Sequence, residues 1–200
     1  MGASMKSGMT LRLVYFSLIS LFLLSVIALA VIYFARQSRS DLKIYGKVPA
    51  FEFTEQNGQP FGTSEMKGEI NIVNFFFTSC QGPCPVMNAR VAELYQKYAT
   101  SDQVRFVSIS VDPDRDSLSV LQDYAESHGV NDNRWVFLRA PIEEVYKISE
   151  KGFMLAGELP SIHSTKLILV DRNLNIRGYY DSFDDESLKQ LTTNVRELLN

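Results

Sequence analysis

Two hundred residues, 46% hydrophobic and 22% charged, suit one ordinary globular domain and argue against disorder or several domains. Twenty Lys and Arg against 23 Asp and Glu give a net charge of −3, which excludes a nucleic-acid binder relying on a basic field. Two cysteines and two histidines exclude a disulfide-dense scaffold, and a four-ligand Cys/His zinc site would need all four to converge or carboxylates to help.

The charge is divided. Residues 1–40 carry Lys6, Arg12, Arg36 and Arg39 and no acid, a balance of +4, which leaves −7 for residues 41–200. Leu13 to Ala35 is a run of 23 uncharged residues. As a helix at ~1.5 Å per residue it reaches roughly 35 Å, enough for a hydrocarbon core of ~30 Å. It lacks an amphipathic stripe and exceeds the length of a leader's apolar region; Ala28 and Ala30 resemble a cleavage site but lie inside the run. Residues 13–35 are therefore read as an uncleaved transmembrane anchor, 1–12 as a short tail, 36–47 as a polar linker and 48–200 as the folded domain. Basic residues flank the span on both sides, so charge alone does not orient it.

In the domain, Phe51 to Thr54 alternates and Asn57-Gly58 turns the chain toward Pro60-Phe61, a hairpin signal. Ile70 to Phe77 is too apolar for an edge and is predicted as a central buried strand. It stops at Thr78-Ser79-Cys80-Gln81-Gly82-Pro83-Cys84-Pro85, after which a helix to about Tyr98 should bury Val86, Val91, Leu94 and Tyr95. Val104 to Val111 is a second strand, Ser117 to His128 a helix stopped by Gly129, Trp135 to Leu138 a strand and Ile142 to Gly152 a helix. Lys166 to Val170 and Ile176 to Tyr180 form a hairpin, and Asp185 to Asn200 a closing amphipathic helix with Leu188, Leu191, Val195 and Leu198. This order predicts an α/β fold with a mixed sheet and helices on both faces; a thioredoxin-like domain fits it.

Cys80 and Cys84 fall where a buried strand becomes a helix. Helix-terminal amides and the dipole favour a thiolate there, so both thiols are expected to be reactive, with depressed pKa. A three-residue spacer can close a disulfide or pinch one metal ion. Soft thiolates select Cu(I), and an added imidazole admits Cu(II). His128, at a helix C-terminus, complements the dipole; His163 precedes a buried strand at a sheet edge where ligands of open α/β folds collect. Asp112 and Asp116 suit a turn and a helix cap, and either could reach the metal, Asp112 ahead. Met87 fits the core better than a thioether ligand.

Phe77-Thr78-Ser79-Cys80 to Cys84-Pro85, then Val111-Asp112-Pro113-Asp114-Arg115-Asp116, then His163, resembles the Sco/SenC family in motif and order. The resemblance spans about residues 50 to 200. It implies a thioredoxin fold, one copper per chain, as Cu(I) or Cu(II), bound by Cys80, Cys84 and His163, and a part in assembling the copper centre of cytochrome c oxidase. Thioredoxins carry a cis-proline beside their cysteines, and the resemblance implies that His163 takes that position here. Gln81 stands where many relatives have Pro and Ile162 where some have Asp; neither change removes a ligand.

The leading expectation is thus a membrane-anchored copper chaperone that passes its metal to a partner's thiolates, the partner being a respiratory oxidase copper-site subunit or another copper chaperone. A second is a thiol-disulfide oxidoreductase, with Cys80 and Cys84 as its redox-active pair. A third, a thioredoxin-fold peroxidase, lacks the proline-threonine frame before the cysteine. Both leading readings call for an exchange-competent compartment, and a bacterial inner membrane with the domain in the periplasm is expected ahead of a mitochondrial one.

Overall fold

The computed structural model describes residues 4–37, 42–155 and 164–200. The chain divides into two compact units, Met1–Asp41 and Leu42–Asn200. In the first, α1 (Ser4–Gln37) contains a stretch, Val14–Val31, long and apolar enough to cross a membrane, with none of it buried by protein.

The second unit is built around β4 (Ile70–Phe76), which is buried at all seven positions. β5 (Val104–Ser110) lies parallel to it and β6 (Trp135–Arg139) parallel to β5. On the other side β7 (Lys166–Val170) runs antiparallel to β4 and pairs with β8 (Asn175–Asp181). The predicted opening hairpin is β2 (Glu52–Glu55) with β3 (Pro60–Gly62), added antiparallel to β6. With β1 (Gly46–Lys47) the sheet has eight strands in the order β1-β8-β7-β4-β5-β6-β2-β3.

Strand alternation sends Val73 and Phe75 to one face and Ile70, Ile72 and Phe76 to the other. The first face is covered by α5 (Ile142–Lys147) and the π-helical turn Ile148–Gly152, through Val145 and Ile148. The short α2 (Thr63–Met66) adds Met66 to it. The second face is covered by α3 (Pro83–Lys97), α4 (Leu118–Ser127) and α6 (Asp185–Leu199). Helices on both faces of a mixed sheet are as expected from the order of elements.

Three details differ from expectation. Val86 is exposed, because the buried stripe of α3 runs through Cys84, Met87, Asn88, Val91, Leu94 and Tyr95, at spacings of three and four from Cys84. The helix from Ile142 changes to π geometry at Ile148. The predicted linker is docked from Leu42 onward: the Tyr45 amide donates to Ile176 O (2.9 Å), β1 pairs with β8, and the Arg177 guanidinium donates to Leu42 O. Arg177 also pairs with Asp171 at 2.8 Å, both side chains buried, and the same carboxylate accepts from the amides of Asn173 and Asn175, shaping the β7–β8 turn. A free sheet edge and a buried guanidinium thus hold a segment whose polar sequence resembles a tether.

Candidate metal centre

β4 ends at Phe76, and the chain crosses the end of the sheet as Phe77 to Gly82 before Pro83 opens α3 at its first position, where a missing N–H costs nothing. Cys80 lies in this crossing and Cys84 in the first turn of the helix. The Cys80 amide donates to Phe77 O at 3.4 Å. Both thiols are free, with Cys80 7% and Cys84 3% exposed, and pack with Phe76 and Met87. The two side chains lie in the same buried cluster, four residues apart. Burial pushes the Cys84 thiol up to about 12, helped by the Cys80 side chain and opposed by a backbone hydrogen bond from Phe77. This corrects the expected depression of its pKa: at Cys84 desolvation outweighs the helix terminus. A buried, protonated, soft sulfur beside a second one suits a metal that displaces protons on binding.

The crossing is braced from β5. Asp116, fully buried, accepts from Thr78 Oγ1 (2.5 Å), from the Thr78 amide (3.3 Å) and from Ser110 Oγ (2.5 Å). Asp112, set ahead of it in the sequence, instead pairs its carboxylate with Arg115 at 3.0 Å. Asp116 therefore reaches the cysteine crossing through Thr78. The signal for this in the sequence is Ser110 and Asp116 bracketing the turn after an apolar strand. Asp116→Ala leaves three donors without their acceptor, and unfolding free energy should fall by about 2–4 kcal/mol in denaturant titration. A loss below about 1 kcal/mol would show that the brace contributes little.

His128 caps α4: its Nδ1 lies 2.8 Å from Tyr124 O, and its ring packs 4.3 Å from that of Tyr124 and 5.9 Å from Trp135. It is a helix-end histidine, as its sequence position suggests. Met87 is buried in the core. His163 lies outside the described residues, and among the described ones no three His, Cys, Asp or Glu side chains gather to hold a metal. Ile168 pairs with Val73, so Lys166 comes level with Phe75, and the chain through Thr165 and Ser164 approaches the end of β4 from which the cysteine crossing departs.

A family model for SCO1/SenC matches residues 43–200, the whole of the folded unit but its first residue. The chain belongs to the SCO1/SenC family. The SCO1 protein homolog of Bacillus subtilis is 29% identical over 157 residues, covering 75% of this chain and 81% of that one. BsSco, a member of the Sco family of cytochrome c oxidase assembly proteins in which a disulfide switch was identified, matches with a TM-score of 0.71 at 24% identity, covering 80% of this chain and 98% of its own. Arabidopsis thaliana ScoI with copper bound matches at 0.62 and 22% identity, covering 76% and 97%. SCO1/SenC membership and the thioredoxin-like fold agree with the sequence resemblance.

Proposed function

We propose that this SCO1/SenC chain is a membrane-anchored copper carrier that serves cytochrome c oxidase assembly. Cys80 and Cys84 hold the cargo together with His163, and α1 is the anchor of a domain facing a bacterial periplasm. The observation that carries this is the pair of free, buried thiols where β4 passes into α3, Cys80 on the crossing and Cys84 in the first helical turn, with the chain before β7 returning to the same end of the sheet. Two soft sulfurs and an imidazole suit Cu(I) and also admit Cu(II). Relatives point the same way: ScoI is known with copper bound, and BsSco belongs to oxidase assembly proteins. Three ligands leave a face open, so an incoming thiolate of an oxidase subunit can bind before a resident ligand departs. Asp112, engaged by Arg115, is left out of the ligand set.

A second reading, thiol-disulfide exchange on partner cysteines, is favoured by two free thiols four residues apart in one buried cluster. His163→Ala separates the two. A carrier should lose Cu(II) binding, seen by metal content and electron paramagnetic resonance, and should fail to support oxidase assembly. An oxidoreductase should keep its dithiol turnover. Oxidase assembly that persists in the variant would sink the copper role.

A further inference from the structure

A line of buried polar groups runs through the core to the cysteine helix. Asn74, Asn88, Ser108 and Trp135 are each at most 1% exposed. Trp135 Nε1 donates to Ser108 Oγ (2.9 Å), Ser108 Oγ to Asn74 Oδ1 (2.7 Å), Asn74 Nδ2 to Asn88 Oδ1 (3.0 Å), and Asn88 Nδ2 to Tyr124 Oη (2.9 Å). The direction of every link is fixed from one end. An indole N–H can only donate, so the Ser108 hydroxyl spends its single proton on Asn74, and each amide in turn must accept with oxygen and donate with nitrogen. Tyr124 receives the last bond and keeps its own O–H to give.

Asn88 stands one helical turn beyond Cys84 on the same buried stripe of α3 and bonds the Tyr124 hydroxyl at 2.9 Å, which brings that hydroxyl to the cysteine side of the helix; in the resting thiol state it makes no hydrogen bond to either sulfur. The Tyr124 ring is held by Phe76 (5.3 Å), His128 (4.3 Å) and Phe137 (5.9 Å). Burial raises the phenol above its ordinary range, the Asn88 bond opposes it, and the charges of Cys84, Asp116 and Cys80 add smaller upward pushes.

We propose that Tyr124 is the hydrogen-bond donor of the thiol pair: its O–H, aimed by the relay from Trp135, donates to the Cys84 sulfur whenever that sulfur carries charge. Two situations put charge there. One is copper ligation, which rests on the function proposed above. The other needs no metal. When an external dithiol opens a Cys80–Cys84 disulfide, its thiolate attacks the more exposed Cys80 sulfur, the S–S bond breaks and the electron pair leaves on Cys84. The reagent's second thiolate then expels Cys80 and closes the reagent's own disulfide, so that the reagent loses two electrons and the protein pair gains them; both protein sulfurs take protons from water. A donor at Cys84 stabilises the leaving thiolate.

The test is Tyr124→Phe in the full chain, which removes only the hydroxyl. Dithiothreitol should reduce its disulfide roughly tenfold more slowly than in wild type, the worth of one hydrogen bond to a charged sulfur. With Cu(II) bound, its sulfur-to-copper charge-transfer band should move to lower energy, because a sulfur that loses its donor is a stronger electron source. Tyr95→Phe is the control, since that hydroxyl bonds Asn131 in the same apolar cluster. It should leave the reduction rate within about twofold of wild type. An unchanged reduction rate in Tyr124→Phe, or an equal slowing in Tyr95→Phe, overturns the proposal. A wild type with no charge-transfer band counts against the copper role, and the disulfide rate then decides the donor by itself.

Discussion

Arg177→Met should lower the unfolding free energy by about 3–5 kcal/mol, among the largest losses available to a single substitution in this domain. Its guanidinium and the Asp171 carboxylate are 7% and 9% exposed, and they meet at 2.8 Å. Removing the cation leaves a buried carboxylate with only neutral donors, the amides of Asn173 and Asn175 and the Asn175 side chain. It also removes the guanidinium's bond to Leu42 O, at the start of the folded unit. Total stabilities of ~5–15 kcal/mol make such a loss a large fraction of the whole. Urea unfolding followed by the fluorescence of Trp135, the single tryptophan and fully buried, measures it. A loss below about 1 kcal/mol would mean that water or a rearranged turn replaces the ion pair.

Cys84→Ser should lower copper affinity on the order of a thousandfold, well beyond the ~10–100-fold typical of losing an outer hydrogen-bond partner. A hydroxyl is a hard, weakly acidic donor where the site offers Cu(I) a soft thiolate. The substitution is small in volume, so the fold should persist. The pH dependence in wild type follows from the same sulfur. Burial holds the Cys84 proton up to about 12, so at neutral pH copper must displace it, and apparent affinity should rise as pH rises. Competition titration with a Cu(I) chelator at several pH values checks both points. Affinity independent of pH, or retained by the serine variant, would remove Cys84 from the ligand set.

The positions of the strands were legible because their signals are local. Ile70 to Phe76 is apolar throughout, and Asn57-Gly58 turns a hairpin. Ser117, His128 and Gly129 punctuate α4 as expected, with the Ser117 hydroxyl accepting from Val120 N and Gly129 at φ +73°. Cys80 and Cys84 were legible for the same reason, as the only thiols at a strand-to-helix junction. What stayed hidden depends on partners distant in sequence. Asp116 and Asp112 look alike as turn residues, and only the packing of Thr78 against the end of β5 gives Asp116 its role. Asn74 interrupts an apolar strand, and that was a signal; its meaning needed Asn88, 14 residues away, and Ser108, 34 away. The docking of Leu42 needed Arg177, 135 residues on. The Cys84 pKa was misjudged because a helix terminus is visible in sequence and the depth of burial is not.

X-ray absorption at the copper edge of the loaded full-length chain tests the central claim most directly. The account predicts a shell of two sulfurs and one imidazole nitrogen, with the nitrogen lost in His163→Ala. A shell of nitrogen and oxygen alone, or one unchanged by that substitution, would contradict it.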